Sequence, residues 1–183
     1  MEYFKRIFKE SIIVVILSSA FGLVSGSLLS TNNEFLYMFP IILLILPSLN
    51  SLVGNISTVL ISRLTAHLYI GTIQPKIERS DRLTEDFYGL LYSTILSLAF
   101  LLFIGYFIAL FTGVKIVNPL FIILIVSFTV IVLFIAMFIF LLISAIYLFK
   151  WGKDPNNFLI PFVTSLNDFL TPLLLIVFII IFI

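Results

Sequence analysis

Five apolar stretches, each long enough to cross a bilayer, decide what this chain can fold into. They run over about 11–30, 35–70, 87–112, 117–148 and 154–183. In hydrocarbon every backbone N–H and C=O needs an internal partner, so apolar spans of this length must be helices. With 62% hydrophobic and 10% charged residues, the chain lies far from soluble domains, which are about half apolar and about a quarter charged. The expected fold is an all-α integral membrane protein with five transmembrane helices, one domain over 1–183. The polar segments between spans are too short for a separate soluble domain. The absence of cysteine excludes disulfides, thiolate metal sites and thiol nucleophiles, and a net charge of +1 argues against a nucleic-acid partner. Residues 2–10 place three basic side chains before the first span, but that span is long and no Ala-x-Ala-like site follows, which favours an anchor over a cleaved leader.

Basic residues orient the spans. Lys5, Arg6 and Lys9 precede the first; Arg63, Lys76, Arg79 and Arg82 lie at or after the end of the second; Lys150 and Lys153 separate the fourth and fifth. In a five-span arrangement all of these share one side, and Lys115 alone lies opposite. The positive-inside rule puts the N-terminus in the cytoplasm and the C-terminus outside, in the cell membrane.

The sharpest polar signal lies in the last span. Asp168 is 14 residues beyond Asp154, roughly 21 Å along a helix, and therefore deep in a hydrocarbon core about 30 Å thick. A charge at that depth costs at least ~2.5–3.5 kcal/mol, and such residues usually face a cavity or an ion path. Asn157, Pro161, Thr164, Asp168 and Thr171 step by four, three, four and three, so they share one helical face. Pro161 and Pro172 donate no N–H, which leaves the carbonyls of Asn157 and Asp168 without their helical partners. A carboxylate, a free carbonyl and hydroxyls are the oxygen ligands that a hard cation takes.

The second span carries a matching stripe of Ser51, Asn55, Thr58, Ser62 and Thr65, with Gly54 open to close approach. Pro40 and Pro47 upstream suggest that this span, like the fifth, is broken, as transporter helices are around a substrate. Asp168, Thr164, Asn55 and Ser51 are the candidate cation contacts. Gly54, Thr58, Ser62, Asn157, Pro161, Ser165 and Thr171 are the candidate pore lining. The charged segment 71–86 reads as a solvated loop and His67 as an interfacial residue. Small residues at Ser18, Gly22, Gly26 and Ser30 read as a packing ridge, and the fourth span, nearly devoid of polarity, reads as lipid-facing.

Pro47, Gly54-Asn55 and Ser62-Arg63-Leu64, with Asp154-Pro155-Asn156-Asn157, Pro161, Thr164-Ser165 and Asp168, resemble the membrane domain of MgtE-type magnesium channels and their eukaryotic solute-carrier relatives. The resemblance spans essentially the whole chain. It implies a parallel homodimer whose second and fifth spans line a central pore, with Asp168 binding hydrated magnesium. The eukaryotic relatives carry two five-span halves, so this chain resembles one half pairing with itself. Two departures stand out. Ile160 occupies a position where the bacterial channels often carry asparagine, and nothing in this sequence resembles their cytoplasmic magnesium-sensing domains, so gating is expected to differ or be absent.

Physics agrees on stoichiometry. Two Asp168 carboxylates at a two-fold axis repel, and a divalent cation between them removes the conflict. Magnesium dehydrates reluctantly, so its contacts are expected to run through water. It is expected as the transported ion, with other divalent cations possible and no cofactor. A cation exporter or exchanger coupling at Asp168, and a structural subunit pairing Asp168 with a partner's basic residue, are the alternatives. An intramembrane enzyme is disfavoured, because the chain offers one histidine at a membrane edge and one acid at the midplane.

Overall fold

The computed structural model describes residues 2–78 and 80–182; Arg79 and the side chains of Lys5, Arg6 and Lys9, four of the basic residues that orient the spans, lie outside what is described. Regular structure among the described residues is entirely helical. It comprises α1 (Glu2–Thr31), α2 (Asn33–Met38), α3 (Pro40–Ile70), α4 (Asp81–Thr112), α5 (Pro119–Lys150) and α6 (Pro155–Phe182). The long helices α3 to α6 hold 28 to 32 residues, about 42–48 Å, so their ends reach past a ~30 Å hydrocarbon core. Each is long and apolar enough to cross a membrane, and Val15–Thr31 of α1 is a further apolar helical segment. The protein is a multi-pass membrane protein.

Proline and glycine punctuate these helices as their chemistry requires. Pro40 and Pro119 stand in the first turns of α3 and α5, where a missing N–H costs nothing. Gly71 and Gly113 end α3 and α4 in the left-handed region, at φ of 80° and 72°, which a glycine adopts without strain.

The expected break in the second span falls at Phe39, between α2 and α3, and α3 continues through Pro47 to Ile70. The fifth span is not broken. α6 runs continuously past both Pro161 and Pro172. A proline removes one donor, and at Pro172 a neighbouring helix supplies the replacement, as shown below.

α3 packs against α4, α5 and α6; α5 also packs against α6; α1 lies along α6. The fourth apolar span, expected to face lipid, has two faces: Leu120, Leu124 and Ile139 of α5 stand exposed, and the opposite face is packed inside the bundle. Ile122, Val126, Leu133, Leu141 and Ala145 of α5 are fully enclosed among α3 and α6. Hydropathy does not separate lipid from an apolar helix neighbour, because both are equally apolar solvents. α4 is the least buried of the four long helices, with Leu96, Phe103 and Phe111 exposed. Gly105 lets α4 lie close on α3: a Cβ there would come within 2.6 Å of Ile45 Cγ2.

The segment 71–86 is not uniformly solvated. From Asp81 it is already α4, and Asp86 is only 2% exposed. Arg63 Nε of α3 donates to Asp86 Oδ1 at 2.7 Å, and His67 Nε2 lies 3.2 Å from Asp86 Oδ2. His67 Nδ1 in turn lies 2.7 Å from Thr72 Oγ1. A buried charge is tolerated only when paired, and here the pairing ties the end of α3 to the start of α4.

Candidate functional site

α6 is started by a cap. Asp154 Oδ1 accepts the backbone N–H of Asn156 at 3.0 Å, and Pro155 opens the helix. The first part of the Asp-Pro-Asn-Asn string thus sets where the helix begins. Lys153 stands 5.2 Å from the Phe158 ring, an interfacial cation–π contact.

From that start Asp168 falls on the fourteenth of the 28 residues of α6, halfway along. Its neighbours fix α6 from two directions. Asn167, fully buried, donates from Nδ2 to Ser57 Oγ of α3 at 3.0 Å. Ser165, also buried, hydrogen-bonds to Ser18 Oγ of α1 at 2.6 Å. Phe21 of α1 meets Phe162 edge-on and Phe169 at a tilt, both at 6.0 Å between ring centroids. Between these anchored faces the Asp168 side chain is exposed, and no described side chain hydrogen-bonds to its carboxylate.

The residues singled out from the sequence divide by burial. Ser51, Asn55 and Ser62 of α3 and Asn157 and Asp168 of α6 are exposed. Thr58, Pro161 and Thr164 are half-buried; Gly54, Ser165 and Thr171 are buried. Some hydroxyls are committed to their own helix: Thr58 donates to the Gly54 carbonyl at 2.9 Å and Thr164 to the Pro161 carbonyl at 3.0 Å. Among the described residues Thr171 Oγ1 is buried without a partner, and a Cβ on Gly54 would meet nothing within 4 Å, so no close approach among them requires that glycine. Asn55 Nδ2 reaches Ser51 Oγ at 3.4 Å, a long bond that leaves both side chains available.

The Asp168 carbonyl, read from the sequence as a free cation ligand, is not free. Ser25 Oγ of α1 donates to it at 2.8 Å. Sequence reasoning missed Ser25, Ser57 and Asn167. Pro172 was the available signal for Ser25, since an orphaned carbonyl at membrane depth demands a donor from somewhere. Ser57 and Asn167 each sit one position off a polar stripe, and nothing in the spacing pairs them.

Among the described residues no three of His, Cys, Asp or Glu cluster closely enough to cage an ion. One carboxylate on an exposed polar surface can instead attract a cation that keeps its water. Chemically this suits passage rather than tight sequestration.

The model of the MgtE family, described as divalent cation transporters, matches residues 46–178, well over half of the chain and all of α4 and α5. No curated protein and no solved structure matches it. Transport, not catalysis, is the chemistry of that family. The chain therefore belongs to the MgtE family of divalent cation transporters.

Proposed function

We propose that the protein conducts magnesium through a path at the axis of a parallel homodimer, lined by α3 and α6, with Asp168 as the cation site. One observation carries this reading: an exposed carboxylate halfway along a membrane-spanning helix, on a chain that also exposes Ser51, Asn55, Ser62 and Asn157. Left facing hydrocarbon, the carboxylate alone costs at least ~2.5–3.5 kcal/mol. A second copy applied to this surface covers it and leaves water between two polar faces, and an isologous contact brings the two Asp168 residues to one axis. A hydrated divalent ion neutralises that pair. Thr164, Asn55 and Ser51 contribute oxygen to its water shell, and Gly54, Thr58, Ser62, Asn157, Pro161, Ser165 and Thr171 belong to the helix segments that frame the path. The N-terminus is cytoplasmic and the C-terminus outside.

Magnesium entry into liposomes that hold only this chain tests the reading, with an entrapped magnesium-sensitive dye as readout. Saturable entry well above that of empty vesicles is the expected result. Vesicles that contain folded protein and stay silent under a magnesium gradient would remove the proposal of a self-sufficient path.

A further inference from the structure

We propose that α1, which lies outside the matched family region, is a working part of the cation site: Ser25 is a positioning residue that holds the main chain of Asp168 and so aims its carboxylate. The inference rests on the reading of Asp168 as the cation contact. Pro172 cannot supply the N–H that would normally bond the Asp168 carbonyl, and an unpaired carbonyl at this depth costs several kcal/mol. Ser25, itself only 7% exposed, meets that need across 143 residues of sequence.

This is not what hydroxyls in these helices ordinarily do. Ser57, Thr58, Ser93, Thr94 and Thr129 all donate to a carbonyl four residues back on their own helix. Ser25 reaches to another helix instead. One residue earlier, Asn167 is held to Ser57 of α3, so the Asn167-Asp168 unit is gripped by α3 through a side chain and by α1 through a carbonyl. Gripped on both flanks, it can direct the carboxylate only outward. Without the Ser25 hydroxyl the carbonyl oxygen turns toward the nearest water, the peptide plane rotates, and the carboxylate leaves its place.

Proline chemistry provides the test, because Pro172→Ala restores an N–H four residues beyond Asp168 and caps the same carbonyl from within α6. Magnesium affinity is read for wild type, Ser25→Ala, Pro172→Ala and the double variant. The readouts are the magnesium dependence of the thermal midpoint of the purified protein and the half-saturating concentration for flux. Ser25→Ala is expected to weaken both about tenfold, and the double variant to regain wild-type affinity. Ser18→Ala, which breaks the neighbouring tie between α1 and α6, is expected to leave affinity unchanged.

Wild-type affinity in Ser25→Ala overturns the inference. So does a loss that Pro172→Ala fails to repair, or an equal loss in Ser18→Ala, since either would make Ser25 a packing contact. If Ser25→Ala does not fold, the double variant decides: recovery of folding and affinity upholds the capping role, and failure ends it. Magnesium binding without flux in wild type would count against conduction while leaving the positioning role to be judged by affinity. A wild type that binds no magnesium would sink both.

Discussion

Replacing Asp168 by asparagine is expected to lower magnesium flux per folded protein about a hundredfold. The substitution keeps the shape of the side chain and removes its charge. A divalent ion about 5 Å from a carboxylate, even at a strongly screened effective dielectric near ~40, gains roughly 3 kcal/mol. At about 1.4 kcal/mol per decade that is about two orders of magnitude in occupancy. Because the carboxylate has no hydrogen-bond partner among the described side chains, the exchange breaks no contact with any of them. The yield and thermal midpoint of the variant should therefore match wild type or exceed it. Initial rates of dye-reported magnesium entry, normalised to folded protein, check the first part and a melting curve the second. Equal rates in the two proteins would mean that the ion passes elsewhere.

The largest effect on stability is expected at the opposite kind of charge, the buried one. Arg63→Ala leaves the Asp86 carboxylate enclosed, with His67 as its remaining partner among the described residues, whereas Asp86→Asn leaves Arg63 free to turn its half-exposed side chain to water. Removing one partner of a fully buried pair costs about 3–5 kcal/mol; with the Arg63 side chain 52% exposed, the expected loss falls to about 2 kcal/mol. Asp86→Asn, which keeps an oxygen for Arg63, should cost about half as much. Thermal unfolding in one detergent, read for both variants, gives the order. A milder effect in Arg63→Ala than in Asp86→Asn would contradict the burial on which the argument depends.

How far the sequence reaches is clear from these same residues. Depth is legible: counting from Asp154 places Asp168 in mid-membrane, and the structure caps α6 at Asp154 and puts Asp168 halfway along it. The lost hydrogen bond at Pro172 is legible too, because it follows from covalent structure alone. What replaces it is not, since a donor on α1 is distant in sequence and local periodicity carries no information about it. The small-residue ridge on α1 shows the same limit. Ser18 of the ridge does meet α6, but a Cβ at Gly22 or Gly26 would touch nothing among the described residues, and it is Ser25, outside the ridge, that donates to the Asp168 carbonyl.

Burial inside a membrane protein is the other gap. α5 and the later part of α4 are both apolar, and only packing reveals that one face of α5 sits against α3 and α6 whereas α4, with Leu96 and Phe103 exposed, buries far less. Asp86 disappears into a run of exposed charges because sequence neighbours such as Arg82 and Glu85, paired at 2.9 Å in the open, look no different from it. Helix phase separates them. Asp86 turns toward Arg63 of α3, and Arg82 and Glu85 turn to water.

A cation path along α3 requires its exposed polar face to border water and not lipid, and the lack of any native cysteine makes that directly measurable. Single Ser51→Cys, Asn55→Cys and Ser62→Cys variants in vesicles are exposed to a charged, membrane-impermeant thiol reagent, which reacts with thiolate formed in water. Leu96→Cys and Phe103→Cys serve as lipid-facing references. The three α3 positions are expected to label while the references do not, and magnesium is expected to slow the labelling. If the α3 cysteines stay as unreactive as those at Leu96 and Phe103, this face lies against hydrocarbon or a dry partner surface, and no cation path runs along it.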